Sequence, residues 1–480
     1  MRRREFLKTA GLTAAVGLTA TNAPAAKPAK QPNILFIFSD QQRWDTVECY
    51  GRPIFKGLTP NLDKMAADGV RFANSFTCQP VCGPARAALQ TGKYASQTTC
   101  HTNGISLPRT ERTLAHLLSA AGYDVGYLGK WHLASDTKKT PGVAAFNCRS
   151  KPVPPERRGG YKDFWLASDV LEFTSHAYDG HMFDGAGQKR LFPSNRYRVD
   201  AQTDWAIEFL QSRKDQTKPF FLFVSYIEPH HQNDHRHFEG PRGSKEKYKD
   251  YRIPGDLAGT KGDWKKEMPD YLGCCASLDD NVGRLRAELK RLGMDNNTVV
   301  LYTTDHACHF RTRNGEYKRS CHDNSIRTPL IACGPGFAGG KVIDHMVSLV
   351  DLTPTVLTAG GAKPPDYLQG RPLQTLVDGS ARDWPAEVFV QISESHTGRA
   401  IRTKRWKYSV RAPGRRKPSG GSEVYVEEFL YDLQADPHER NNLVADPKHA
   451  AVRAKLAASL KRRMVAAGEK SPAVNPAAQS

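Results

Sequence analysis

The chain has no C-x-x-C pair, so its ten cysteines do not spell a zinc ribbon or a thioredoxin-like redox site. No zinc-finger, basic-zipper or aromatic RNA-binding signature occurs, which leaves nucleic acid a poor candidate partner despite the basic charge. The only apolar run near the amino terminus, 9–20, is too short and too poor in large side chains to stay in a bilayer as a span. Acidic residues are scarce against basic ones, 50 against 69, and the formal net charge is +19. That excess suits a polyanionic partner without naming it.

The 480 residues, 39% hydrophobic and 25% charged, are ample for one large core and a smaller unit beside it. Arg3-Arg4-Glu5-Phe6-Leu7-Lys8 forms a twin-arginine pattern, the apolar run follows it, and Ala23-Pro24-Ala25 resembles an A-x-A cleavage site. We read residues 1–25 as an export signal, 26–32 as a Lys/Pro/Ala linker, and expect a periplasmic or secreted protein with no transmembrane anchor after cleavage. An oxidising compartment permits disulfides, but their connectivity is not legible from spacing.

The remaining pattern alternates continuous apolar runs with amphipathic segments. The runs 33–38, 123–128, 219–226 and 298–304 suit strands buried on both faces, and segments 60–69, 110–121, 200–213 and 268–292 suit helices. This predicts an α/β fold over 33–380: a large, mostly parallel (mixed) sheet sandwiched by helices. Stretch 136–198, rich in Pro, Gly, Arg and aromatics, is expected to form surface insertions at the pocket mouth. Past residue 380, short alternating segments predict an α+β subdomain, 381–470, with an antiparallel sheet. Stretch 411–422 is expected to be a mobile loop, and 471–480 a disordered tail.

Polar residues gather where the buried strands end, the place at which α/β sheets bind ligands. Asp40 and Gln41 follow the first strand and offer oxygen donors for a metal, or simply end the strand in a turn. Lys130 and His132 follow the second, His230 and His231 the third, and Asp305 and His306 the fourth. Cys82-Gly83-Pro84-Ala85-Arg86 opens a helix, with Thr91-Gly92-Lys93 closing it. The Cys82 side chain then sits at a helix N-terminus that favours an anion, and Arg86 lies one turn on. His231, Asp234, His235 and His237 form a polar cluster whose spacing fits no standard zinc set, so a substrate-facing or solvated loop is expected.

The Cys82–Arg86 motif with Thr91-Gly92-Lys93, Gly129-Lys130-Trp131-His132, the acidic strand ends and the segment 430–443 together resemble the type I sulfatases of the alkaline phosphatase superfamily. The resemblance spans essentially the whole chain after residue 32. It implies oxidation of Cys82 to formylglycine by a formylglycine-generating enzyme. A hydrate oxygen then attacks the sulfur of a sulfate ester, the alcohol leaves, and the second hydroxyl expels sulfate. It implies Ca2+, with Mg2+ as an alternative, held by Asp40, Gln41, Asp305, His306 and the modified Cys82. It assigns Lys130 to sulfate, His132 to the hydrate, His230 to the leaving alcohol or the sulfate, and Lys318, ahead of Arg319, to sulfate. Arg311 or Arg313 could meet acidic groups of the substrate. The segment around 311–322 looks like that of sulfatases from polysaccharide-degrading bacteria, so a sulfated saccharide is the expected substrate. A phosphonate or phosphate ester hydrolase of the same superfamily, or a non-catalytic protein binding sulfated glycans, are the alternatives.

Overall fold

A computed structural model describes residues 31–477 apart from Arg52, 138–143 and 415–418. The expected export signal and most of the linker lie outside these residues, as does part of the expected mobile loop.

Eight of the twelve strands of the main sheet form the part that positions the rim: β1 (Asn33–Ser39), β2 (Val70–Phe76), β3 (Asp124–Lys130), β4 (Phe164–Ser168), β5 (Phe220–Ser225), β6 (Thr298–Thr304), β7 (Leu330–Cys333) and β8 (Lys341–Ser348). At its centre run β6, β1, β5, β3 and β4, all parallel. β7 joins antiparallel between β6 and β2, and β8 pairs with β2 in parallel, so the sheet is mixed, as expected. β1 lies in the middle because its side chains are apolar on both faces. Ile34 to Phe38 are fully buried, and each such side chain contributes about 1.5–3 kcal/mol by leaving water.

Helices cover both faces. Leu35 and Ile37 pack with α1 (Pro60–Asp68), α4 (Arg198–Ser212) and α5 (Trp264–Arg291). Phe36 and Phe38 pack with α2 (Cys82–Thr91), α3 (Leu114–Ala120) and α6 (Leu352–Ala359). α2 is buried along its whole length, which its small residues Ala85, Ala87 and Ala88 allow. Gly92 ends it in the left-handed region, φ 67°, and its N–H bonds the Ala88 carbonyl at 2.8 Å.

β9 (Glu387–Ile392), β10 (Gly398–Thr403), β11 (Trp406–Arg411) and β12 (Val424–Asp432) form the second, antiparallel sheet, with α7 (Ala450–Ala466) packed beside it. Two expectations fail. β4 lies in the stretch read as surface insertion, yet its Trp165, Leu166 and Ala167 are core residues; five residues flanked by charged loops are too few to show a period. In the expected disordered tail, β13 (Ala473–Asn475) pairs in parallel with 424–426 of β12. An edge strand's free backbone groups supply the partners that side-chain composition did not reveal.

One glycine is essential to the rim that carries the polar residues. Gly129 has φ 109°, and a Cβ there would stand 1.9 Å from the Ser225 carbonyl oxygen of the neighbouring strand. Gly129→Ala is expected to destabilise the protein by more than about 2 kcal/mol, read as a shift in a denaturant titration; an unshifted midpoint would show that the two strand ends can separate freely.

Candidate active site

The carboxyl ends of β1, β3, β5 and β6, which are neighbours in the parallel part of the sheet, bring their terminal residues together under the N-terminus of α2. Cys82 is the first residue of that helix and is buried. Its Sγ lies 3.0 Å from Lys318 Nζ, 3.3 Å from His306 Nε2 and 3.5 Å from Asp40 Oδ1, and the His132 side chain, at the end of β3, acts to lower its pKa. Gly83 N–H donates to Asn103 Oδ1 at 2.9 Å, which fixes the first turn. Burial would raise the thiol's pKa, but Lys130, Lys318 and His306 pull it well below its usual value. The site therefore favours negative charge at position 82.

Asp40 is the hub beneath it. Its Oδ2 accepts from Lys130 Nζ at 2.7 Å and Arg86 Nη2 at 2.9 Å. Burial and the Cys82 sulfur act to raise its pKa, yet the Lys130 and Arg86 cations hold the carboxyl well below the usual range. Arg86 does not face the Cys82 thiol. It spans the two carboxylates, with Nε 3.4 Å from Asp305 Oδ2, and its Nη1 donates to Lys130 O and Ser225 Oγ. It positions the acidic residues and the end of β3.

Asp40, Cys82, Asp305 and His306 place one ligand atom each within 4.8 Å of one another, all buried. Asp305 Oδ1 accepts the N–H groups of Gln41, at 3.1 Å, and His306, at 2.9 Å, whereas Oδ2 has no hydrogen-bond partner. Burial and the nearby Asp40 charge push the Asp305 carboxyl up to about 6. His306 Nδ1 lies 3.0 Å from the Ala307 carbonyl, so Nδ1 carries the proton and Nε2 turns its lone pair inward. Gln41 adopts φ 70°, and its Oε1 accepts from Lys318 Nζ at 3.3 Å, facing the same centre. Two buried carboxylates, an inward imidazole nitrogen and an amide oxygen fit a hard divalent cation.

On the other side of Cys82, Lys318 Nζ is 2.9 Å from His230 Nε2. Burial, Lys318 and Lys130 push His230 down to about 4, so the ring is neutral at neutral pH. Its Nδ1 faces Glu172 Oε2 at 3.3 Å, a close contact without the alignment of a good hydrogen bond. Asn233 Nδ2 holds both Glu172 oxygens at 3.2 Å. Glu172 was missed by sequence reasoning, as was Asp169. The Asp169 carbonyl accepts His132 N–H, and its carboxylate accepts the N–H groups of Ala134 and Ser135. Both residues lie just after β4, in the stretch read as insertion, and nothing in their local pattern marks them.

Lys318 thus joins the site, and Arg319 does not: Arg319 pairs with Glu394 at 3.1 Å. Arg313 is also spent elsewhere, donating to the carbonyls of Glu439 and His438 and so tying the C-terminal segment to this loop. Arg311 lies over the Tyr317 ring and 3.6 Å from Asp263. All ten cysteines are unpaired, and nine are buried.

The sulfatase family profile matches residues 32–362, and a profile described as N-sulphoglucosamine sulphohydrolase, C-terminal, matches 315–466. The chain is 29% identical over 462 residues to an ulvan-active sulfatase of Formosa agariphila, covering 92% of this chain and 83% of that one. It is 25% identical to an N-acetylglucosamine-6-O-sulfatase of Bacteroides thetaiotaomicron, with 91% and 87% covered. A solved structure in complex with its substrate D-glucosamine-2-N,6-O-disulfate shares the fold, with a TM-score of 0.73, 24% identity, and 92% and 99% covered.

Proposed function

Because the chain belongs to the sulfatase family, sulfuric ester hydrolases whose profile covers most of its length, we propose that it hydrolyses sulfate esters on a sulfated saccharide, using an oxidised Cys82 and a bound divalent cation. The observation that carries this reading is the convergence on Cys82 of Lys318, His306, His132 and Asp40 at one rim of the sheet. The glycan substrate is supported by relatives that act on ulvan and on N-acetylglucosamine 6-sulfate, and by the basic charge of the chain.

Conversion of Cys82 to formylglycine by a formylglycine-generating enzyme supplies an aldehyde at this position, whose hydrate is the nucleophile toward sulfur. Calcium, or magnesium in its place, held by Asp40, Gln41, Asp305 and His306, supplies positive charge that polarises the sulfate and favours an ionised hydroxyl. The chain's own residues do the rest. Lys130 and Lys318 flank position 82 and balance the negative charge that develops there in a buried, low-dielectric site. His132, beside residue 82, holds the proton of the hydroxyl that attacks or later collapses. His230 Nε2 shares a proton with Lys318 Nζ and, steadied at Nδ1 by Glu172, passes it to the departing alcohol oxygen. Arg86 keeps the two carboxylates apart and in place. Among the described residues no helix is long and apolar enough to cross a membrane. The twin-arginine pattern at 3–8 supports export of the protein in folded form.

The test is sulfate release from a panel of sulfated oligosaccharides, after co-expression with a formylglycine-generating enzyme and with calcium present. Release from a saccharide supports the reading, and release only from phosphonate or phosphate esters overturns it. Glu172→Gln is expected to lower kcat about 10-fold with little change in KM, because it disturbs the orientation of His230 and not the binding of sulfate. A change confined to KM would place Glu172 in substrate binding instead.

A further inference from the structure

The loop that follows β5 brings a second set of donor groups to the surface of the same rim. His235-Arg236-His237-Phe238-Glu239 spaces two imidazoles and a carboxylate at every second residue, and one ligand atom from each lies within 4.8 Å of the others. Their orientations are already prepared. His237 Nδ1 lies 2.9 Å from the Phe238 carbonyl, so the proton sits on Nδ1 and the lone pair on Nε2. That Nε2 is 4.0 Å from Glu239 Oε1, and His235 Nδ1 contacts the same oxygen. Glu239 Oε2 accepts the Ala177 N–H at 3.0 Å, which fixes the carboxylate from behind. Ligands on a tetrahedral ion with bonds of about 2.0–2.1 Å stand about 3.3 Å apart, so movements of less than about 1 Å in each side chain would close the set.

A neighbouring strand completes the cluster. His176 stacks on His235, with ring centroids 4.1 Å apart and planes at 14°. Its Nε2 bonds Asp234 Oδ2 and its Nδ1 bonds Asp179 Oδ1, each at 2.9 Å. His176, Asp234 and His235 also lie within 4.8 Å. Sequence spacing missed this arrangement because His176 and Glu239 stood outside the cluster it recognised, and only the fold brings 176 beside 235.

We propose that this rim loop binds a transition-metal ion of the zinc class through His235, His237 and Glu239, with His176 and Asp234 packed against it. Two imidazole nitrogens and one carboxylate oxygen form a borderline set that suits Zn2+, in contrast with the oxygen-rich centre beneath Cys82. Three protein ligands leave a position for water or for an acidic group of a bound saccharide. The ion would lock segment 235–239 into one conformation, and the Ala177 N–H bond to Glu239 and the His176–His235 stack would then clasp it to segment 175–179. Gln232 in turn donates to the Glu172 carbonyl at 3.0 Å, so the clasp stiffens the part of the rim that orients His230.

The experiment uses the full chain, free of any affinity tag, carrying Cys82→Ala so that an unconverted thiol cannot take up the ion, with calcium saturating. Zn2+ alone is titrated by calorimetry, and Co2+ is titrated in its place to record its visible d–d spectrum. One equivalent bound at micromolar concentration or below is expected. The double substitution His235→Ala and His237→Ala should weaken it by about 100-fold or more, and Glu239→Gln by about 10-fold, with the cobalt spectrum lost in the double variant. These side chains are partly exposed, so the variants should unfold at the same denaturant concentration as the parent. Zinc binding of equal strength in parent and double variant would overturn the proposal, as would no uptake by the parent at micromolar zinc.

Discussion

Cys82→Ala, produced alongside the formylglycine-generating enzyme, should lose sulfate release by about 10^4-fold or more while folding normally. The size of the loss follows from what the position does. Lys130 and Lys318 surround residue 82 with positive charge, and neither offers an atom that could replace it as nucleophile. The stability change should stay within about 1 kcal/mol. Removal of Sγ leaves Lys318 hydrogen-bonded to His230 and Gln41, and Asp40 paired with its two cations, so each buried charged group keeps hydrogen-bonding partners. Sulfate release measured on protein whose Cys82 peptide has been checked by mass decides the matter. Release by Cys82→Ala at the parent rate would move the nucleophile elsewhere.

Asp40→Ala should be the most damaging single change to stability, and it should lower turnover as well. Arg86 and Lys130 are buried almost completely and both end on Asp40 Oδ2. Without it Lys130 loses the carboxylate it is paired with, and Arg86 is left with Asp305 alone. Breaking a buried pair in this way costs about 3–5 kcal/mol. The same substitution removes a ligand candidate from the cation site, so sulfate release should fall by at least about 10^2-fold, with no recovery at high calcium. Lys318→Ala provides the contrast. It deletes a buried cation and strands none, so the denaturation midpoint should hold or rise while turnover falls. If Asp40→Ala were as stable as the parent, the carboxylate would not be the counterion described above.

The acid side of the same network has a definite sign. Asp40 is held well below the usual carboxylate range in the folded protein, so its contribution to stability is present above the ordinary carboxylate pKa and is lost as pH falls toward its folded value. Asp305 behaves oppositely. Its carboxyl, pushed up to about 6, is destabilising when ionised without a cation, so calcium should stabilise the protein more at pH 7 than at pH 5. Thermal melts with and without calcium at the two pH values measure this; an equal shift at both would contradict the placement of the ion beside Asp305.

Much of this site was legible because its residues are bound to short-range patterns. A buried strand must be apolar throughout, so β1, β3, β5 and β6 announced themselves, and whatever polar residue follows such a strand is carried to the rim. Asp40, Lys130, His230 and Asp305 could be located for that reason, and Cys82 and Gly92 because a helix start and a left-handed helix end constrain residue type locally. Pairing across the fold obeys no such rule. Arg86 was expected at the anion site but bridges Asp40 and Asp305, because the register of β1 against β6 sets those carboxylates side by side. Arg313 looked free for substrate and instead holds backbone carbonyls 125 and 126 residues away. Glu172 and Asp169 had no local signature, since their value comes only from β4 lying next to β3. Chemistry was written in the motifs; the supporting contacts, and the histidine cluster at the rim, arise where segments distant in sequence meet, and only the tertiary packing decides those meetings.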